Sequence, residues 1–224
     1  MTRNLKAIVA AALALGAIAA VSASGAEAAE FHCNVEPCRF RLNSDGTGKT
    51  AHHVFIIDDK TTGQTLTITC SRLTGEGRSN TKTFLEAVVT GLNYNDVECR
   101  DTGAAKVTVE MNGCTYHFRS AGQVSVACEV GKKIELKYAS GCVITVGPQG
   151  PLNGITYTTI GVSPNREVTV SVNVVGIAVA FDGTKAQCGV EPTDVFEGTY
   201  TTGNTIVTAE TDDVSEAMSD GWWL

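Results

Sequence analysis

Eight cysteines, all beyond residue 30, constrain this chain more than any other feature: Cys33, Cys38, Cys70, Cys99, Cys114, Cys128, Cys142 and Cys188. They lie behind an N-terminus that reads as a secretory signal. Arg3 and Lys6 supply the positive start, Ala7 to Ala20 is an uncharged apolar run, and small residues follow to Ala28. Ala26-Glu27-Ala28 fits an A-x-A cleavage site, so residues 1–28 are expected to be removed, with cleavage after Ala23 or Ala26 as alternatives. The apolar run is shorter than the ~20 residues of a membrane-spanning helix, and no cysteine follows it closely enough for a lipid anchor. An even cysteine count behind an export signal points to a secreted, disulfide-bonded protein.

The formal charge is −7 for the full chain and −8 once Arg3, Lys6 and Glu27 leave with the signal. An acidic exported chain is not expected to bind nucleic acid, because phosphate affinity rests on Lys and Arg. No further stretch is apolar enough to span a membrane as a helix. Roughly 196 mature residues suffice for one sizeable domain or two small ones. Gly147-Pro148-Gln149-Gly150-Pro151 is the best internal boundary. It divides an N-terminal β lobe, 29–147, from a C-terminal β lobe, 152–224, within what reads as one continuous architecture.

Alternation of apolar and polar residues dominates the mature chain, which is expected to be all-β, antiparallel and sandwich-like. The clearest stretch runs from Lys106 to Val146. Folding at Asn112-Gly113, a strong hairpin signal, places Val109 opposite Tyr116 and Val107 opposite Phe118. A turn near Ser120-Ala121-Gly122 places Phe118 opposite Val124, Tyr116 opposite Val126 and Cys114 opposite Cys128. Turns at Gly131 and Ser140-Gly141 lead on through Ile134, Leu136 and Tyr138 to Cys142, Ile144 and Val146. The expectation is a five-strand meander over 106–146.

Elsewhere, Val54–Ile57 and Leu66–Cys70 flank a turn at Lys60–Gly63. Phe84–Tyr94 reads as a strand, since Leu85, Ala87 and Val89 alternate and no cap precedes them. Ile155–Ile160 and Glu167–Phe181 are β, with Gly176 marking a bulge or bend. Thr199–Thr202 and Thr205–Ala209 bracket Gly203-Asn204, which reads as a two-residue hairpin turn. Only the tail looks helical: Asp213 caps Val214–Met218, with Glu216 completing a capping box.

Most cysteines share the apolar phase of their strands, so they are expected to point inward as staples rather than to act as nucleophiles, which need exposure and a positive neighbourhood. No C-x-x-C occurs, and Cys33-x4-Cys38 has no second pair at similar spacing, so zinc is not indicated. The expected pairs are Cys33–Cys38 from proximity and Cys114–Cys128 from the strand register. Cys70–Cys99 and Cys142–Cys188 follow by elimination.

No catalytic residue, metal site or cofactor site is assigned. Asp45-Gly46-Thr47-Gly48-Lys49-Thr50 imitates a phosphate loop, but Asn43 stands where the pattern needs Gly, and a strand follows rather than a helix. His52 and His53 are neighbours on a strand and face opposite sides, so they do not ligate one metal together. His117 falls on a polar face. Asp58-Asp59 and Asp212-Asp213 read as turn and cap residues. Trp222 and Trp223, the only tryptophans, either dock the tail helix onto the sheet or offer a stacking platform to a ligand.

Four phrases together carry a resemblance: Phe31-His32-Cys33 with Pro37-Cys38; Asp45 through Val54; Met111-Asn112-Gly113-Cys114; and Thr199 through Thr208. Over nearly the whole mature chain they resemble a family of uncharacterised secreted Cys-rich β proteins from high-GC Gram-positive bacteria. The resemblance implies export and a Cys-rich β fold, and it transfers no catalytic residue. The expected role is non-enzymatic, structural or binding, at the cell surface or in the medium. The alternatives are a carbohydrate- or cell-wall-binding module, whose partner is a wall glycan or another surface protein, and a secreted hydrolase. The hydrolase would need a cleft joining His52 or His53 to Asp58.

Overall fold

The computed structural model describes residues 30–44, 52–94, 99–163, 165–210 and 221–223. The expected signal segment 1–28, the phosphate-loop mimic 45–50 and the tail helix 213–218 lie outside them. Strands account for nearly all the regular secondary structure among the described residues. They are β1 (Phe31–Cys33), β2 (Cys38–Ser44), β3 (His53–Asp59), β4 (Thr65–Cys70), β5 (Leu73–Ser79) and β6 (Thr83–Phe84). Next come β7 (Glu86–Asn93), β8 (Cys99–Asp101), β9 (Lys106–Glu110), β10 (Thr115–Arg119), β11 (Gln123–Ala127) and β12 (Ile134–Tyr138). The last are β13 (Val143–Val146), β14 (Gln149–Asn153), β15 (Ile155–Ile160), β16 (Glu167–Asp182), β17 (Phe196–Glu210) and β18 (Gly221–Trp223). A single turn of helix, α1 (Lys185–Cys188), precedes β17.

Every ladder is antiparallel. One set closes on itself as an eight-stranded barrel: β17, β3, β4, β8, β9, β12, β13 and β16, with β16 pairing back onto β17. This barrel uses the C-terminal part of β16 and the N-terminal part of β17. The other parts of the same two strands carry a second curved sheet, which runs β17, β2, β5, β7, β10, β11, β14. β14 continues through Gly154 into β15, which pairs with the N-terminal part of β16, Ile155 lying opposite Val172. Backbone continuity at Gly154 therefore completes a second ring. β1, β6 and β18 form a separate three-stranded sheet, with Phe31 opposite both Phe84 and Trp223.

A closed barrel replaces the expected sandwich because the strands coil. Bulges increase local twist, and both long strands carry one. Between Val174 and Ile177, β16 has one residue more than β17, at Gly176 (φ 76°), as the sequence indicated. Between Thr202 and Thr205, β17 has the extra residue. Gly203-Asn204 is thus a bulge and not the expected hairpin turn. β16 holds one edge of β17 on both sides of this point, while β3 and β2 hold the other, so continuing the ladder outweighs reversal.

The five-strand meander is also corrected. Its hairpin β10–β11 exists in the expected register, with Phe118 opposite Val124 and Tyr116 opposite Val126, and β12–β13 also forms a hairpin, with Leu136 opposite Ile144. Its other two links do not form ladders. Val109 lies opposite Leu136, not Tyr116, and Tyr116 lies opposite Val89. The Asn112-Gly113 turn does reverse the chain, with positive φ at both residues and the Cys114 N–H donating to the Met111 carbonyl at 2.8 Å. The two strands leaving it belong to different rings. A lone hairpin is marginal in water, so the partners that bury each strand's apolar face decide the pairing.

Strands on either side of Gly147–Pro151 are hydrogen-bonded in common ladders: β16 pairs with β13, and β17 with β2 and β3. One continuous apolar core runs through both rings, from Phe31, Phe40 and Leu42 to Ile57, Ile144 and Phe181. Four disulfides surround it, Cys33–Cys38, Cys70–Cys99, Cys114–Cys128 and Cys142–Cys188, the same pairs that register, proximity and elimination gave. Four such bonds mark a chain that folds in oxidising surroundings. No helix among the described residues is long and apolar enough to cross a membrane.

Candidate functional site: a histidine and hydroxyl chain at the barrel junction

Polar side chains converge where the two rings meet. His53 opens β3 in phase with Phe55 and Ile57, so its ring turns inward and is 1% exposed. Ser44 ends β2 in phase with Phe40 and Leu42 and is 0% exposed. The Leu73 N–H donates to Ser44 Oγ at 3.1 Å, and Ser44 Oγ is hydrogen-bonded to His53 Nε2. On the other side of the ring, Nδ1 is bonded to the Tyr200 hydroxyl. Tyr200 Oη contacts Tyr94 Oη at 3.2 Å, and Tyr94 Oη contacts Tyr116 Oη at 3.0 Å. The imidazole stacks on Tyr200 and meets Tyr94 edge-on, with centroids 5.9 and 5.8 Å apart.

Burial sets the charge state of the whole chain. It lowers the His53 pKa to about 4, with His52 adding repulsion, so the ring is neutral at pH 7. Desolvation also pushes Tyr94, Tyr116 and Tyr200 well above the ordinary phenol value. Beside this neutral chain lies a cavity of about 110 Å³ with apolar walls that include Phe55, Val109, Phe118, Leu136 and Val174, and that His53 and the three tyrosines also line.

Ser44 and His53 reproduce a nucleophile–base contact, with Tyr200 in the orienting position. Ser44 does not line the cavity, and its oxygen already accepts from the Leu73 backbone. The arrangement holds protons in place beside an apolar space. It offers no accessible nucleophile.

The residues singled out by sequence lie elsewhere, apart from His53. His52 is exposed. Asp58 faces out, accepting from Thr65 Oγ1 at 2.9 Å, so no cleft joins it to His53. Asp59 turns inward and accepts from Thr62 Oγ1 at 2.6 Å and from the Thr61 and Thr62 N–H groups, which hold its carboxyl below the usual range. His117 lies 3.0 Å from Glu86 and 3.1 Å from Thr115 on the outer face. Trp222 and Trp223 are strand residues in β18, opposite His32 and Phe31 of β1. Among the described residues, no three His, Cys, Asp or Glu side chains are placed to hold a metal. All eight cysteines are disulfide-bonded.

Sequence reasoning missed Ser44, Tyr94, Tyr116 and Tyr200. A signal existed for two of them: Ser44 shares the phase of Phe40 and Leu42, and Tyr200 that of Phe196, so each is a polar residue in an inward position. No protein-family model matches the chain, and no curated protein or solved structure matches it either. Fold and site define a disulfide-stapled antiparallel β protein built on a closed barrel, with a neutral hydroxyl chain in its core.

Proposed function

We propose that this is an exported, non-enzymatic binding protein that works at the cell surface or in the surrounding medium. The carrying observation is the state of Ser44 and His53. The contact that would make a hydrolase is wholly buried, neutral and committed to structure, while the cavity beside it is apolar. Four disulfides support a working life in oxidising surroundings. A fluorophosphonate probe tests the exclusion of hydrolysis: the folded protein should stay unlabelled, and a tag on Ser44 would overturn the reading. Intact mass of the exported protein should show eight oxidised cysteines and a new N-terminus near Ala29.

One outer surface favours a second reading, a wall-glycan binder. On adjacent strands Thr69, Val54 and Thr201 form one cross-strand row, and Thr67, Ile56 and Thr199 the next, all half-exposed. Rows of methyls and hydroxyls suit the mixed faces of a sugar chain. Retention on purified cell wall at low salt, lost in a Thr67→Glu, Thr199→Glu double variant, would support it. No retention would remove it.

A further inference from the structure

We infer that a hollow on the outer wall of the second ring binds a sugar acid: a hydroxylated ring bearing one carboxylate or one phosphate. This goes beyond the binding reading above and makes no use of the junction cavity. β2, β5 and β7 lie side by side in that wall. Arg39 and Arg41 on β2, Glu76 and Arg78 on β5, and Val88 and Thr90 on β7 alternate with inward residues and line one hollow of about 450 Å³. Phe40 and Gly77, opposite one another, complete its lining and bring no charge. The volume falls within the ~300–1,000 Å³ of small-molecule sites.

Register sets two rows of different character. Arg39 lies opposite Arg78, and two residues along Arg41 lies opposite Glu76, which in turn lies opposite Thr90. The two rows are separated by about 6.7 Å. Like charges directly opposite destabilise a sheet, so the Arg39–Arg78 pair carries a cost that a bridging anion would reverse. Guanidinium groups bind carboxylate and phosphate through paired hydrogen bonds. Among the described residues, neither Arg78 nor the Glu76 carboxylate makes a hydrogen bond or ion pair. Thr90 Oγ1 donates to the Glu76 carbonyl at 3.2 Å, which leaves the hydroxyl oxygen as an acceptor. Glu76 leans over β7, its Oε1 3.8 Å from where a Cβ on Gly91 would stand.

The hollow thereby specifies both ends of its ligand. One end is an anion, seated between Arg39 and Arg78. The other carries hydroxyl groups, which donate to the Glu76 carboxylate and to Thr90. A six-membered sugar with an acid group on its exocyclic carbon spans the distance between the rows, and Val88 and the arginine stems give its ring apolar contact. A dense polyanion does not fit. Glu76 stands inside the hollow, and Glu210 lies opposite Arg39 in the register of β17, so the positive field is confined to one row. Glu86 of β7 does not compete for these arginines, because His117 at 3.0 Å and Arg119 at 3.2 Å already hold it. A neutral sugar would leave the Arg39–Arg78 repulsion in place.

Methyl galacturonoside, the 6-phosphate of methyl galactoside and methyl galactoside itself share one ring and differ in the acid, while acetate is an anion without the ring. Each would be titrated into the oxidised mature protein while the backbone amide resonances of Glu76, Gly77, Arg78 and Thr90 are followed. At least one sugar acid should bind about tenfold tighter than the neutral galactoside or acetate, the worth of charge-assisted hydrogen bonds. The tighter of the two acids identifies the anion as carboxylate or phosphate. Arg78→Gln should lose the tenfold advantage yet melt no lower than the wild type, because a like-charge pair has gone. Glu76→Ala should narrow the gap between sugar acid and acetate, since the hydroxyl acceptor and the repulsion of acetate leave together. Equal affinity for the sugar acids and the neutral galactoside would overturn the anion, and equal affinity for the sugar acids and acetate would overturn the sugar. No shift with either acid up to its solubility limit would overturn the hollow as a site, and would leave the binding reading to the fluorophosphonate test.

Discussion

Ser44 and His53, nine residues apart, are hydrogen-bonded across the ends of β2 and β3 at a point where neither side chain reaches solvent. One residue belongs to each ring, so the contact ties the two together. Removing one partner leaves a buried polar group on each side of the gap.

His53→Leu should therefore cost about 2–4 kcal/mol of stability, from orphaned Ser44 and Tyr200 hydroxyls together with imperfect packing. Urea denaturation of the oxidised protein measures it. His52→Ala, one residue away and exposed, should stay within about 0.5 kcal/mol of the wild type.

Acidification should weaken the fold through the same ring. His53 titrates at about 4 in the folded protein because of burial, and near its ordinary 6.5 when unfolded. Between these values the unfolded chain binds the extra proton, so stability rises with pH across the window and is lost as pH falls from about 6.5 toward 4. The loss should reach about 3 kcal/mol by pH 4. Urea midpoints followed from pH 7 to pH 4 should converge on those of His53→Leu. A constant gap between the two proteins would refute the assignment.

The disulfides should differ in worth by loop length. Cys142–Cys188 closes a separation of 46 residues and Cys33–Cys38 one of 5. On chain-entropy grounds, replacing the first pair by Ser should cost about 4 kcal/mol and the second about 2 kcal/mol. Denaturant unfolding of the two double variants gives the comparison.

Gly154 is the joint that completes the second ring. A Cβ there would stand 2.1 Å from the Asn173 carbonyl oxygen, at a backbone φ of 118°. Gly154→Ala should cost more than about 3 kcal/mol or prevent folding. Gly147→Ala, where nothing lies within 4 Å, should change the melting temperature little. Comparing soluble yield and thermal melting of the two variants checks this.

The sequence made legible what is local and periodic. The β10–β11 register was readable because Tyr116 and Phe118 alternate against Val124 and Val126 without a slip. The bulge at Gly176 was readable because a glycine interrupts a long β-branched run. Partner choice across the molecule was not readable. Nothing near Asn112-Gly113 says that the two strands leaving it enter different rings, because the apolar faces that decide this lie on β12 and β7. The hydroxyl chain was half legible for the same reason. Ser44 and His53 stand out in inward phases, but their meeting with Tyr94, Tyr116 and Tyr200 depends on contacts up to 147 residues apart.

β16 and β17 are common to both rings, and that gives the molecule a spine. A cut anywhere in this ribbon removes a wall from both halves at once, so neither half survives as a module that could be excised, shuffled or released by a protease. With the disulfides intact, calorimetry should record one cooperative melting transition rather than two. Load applied at one end should pass to the other along the β16–β17 ladder, which spans both rings.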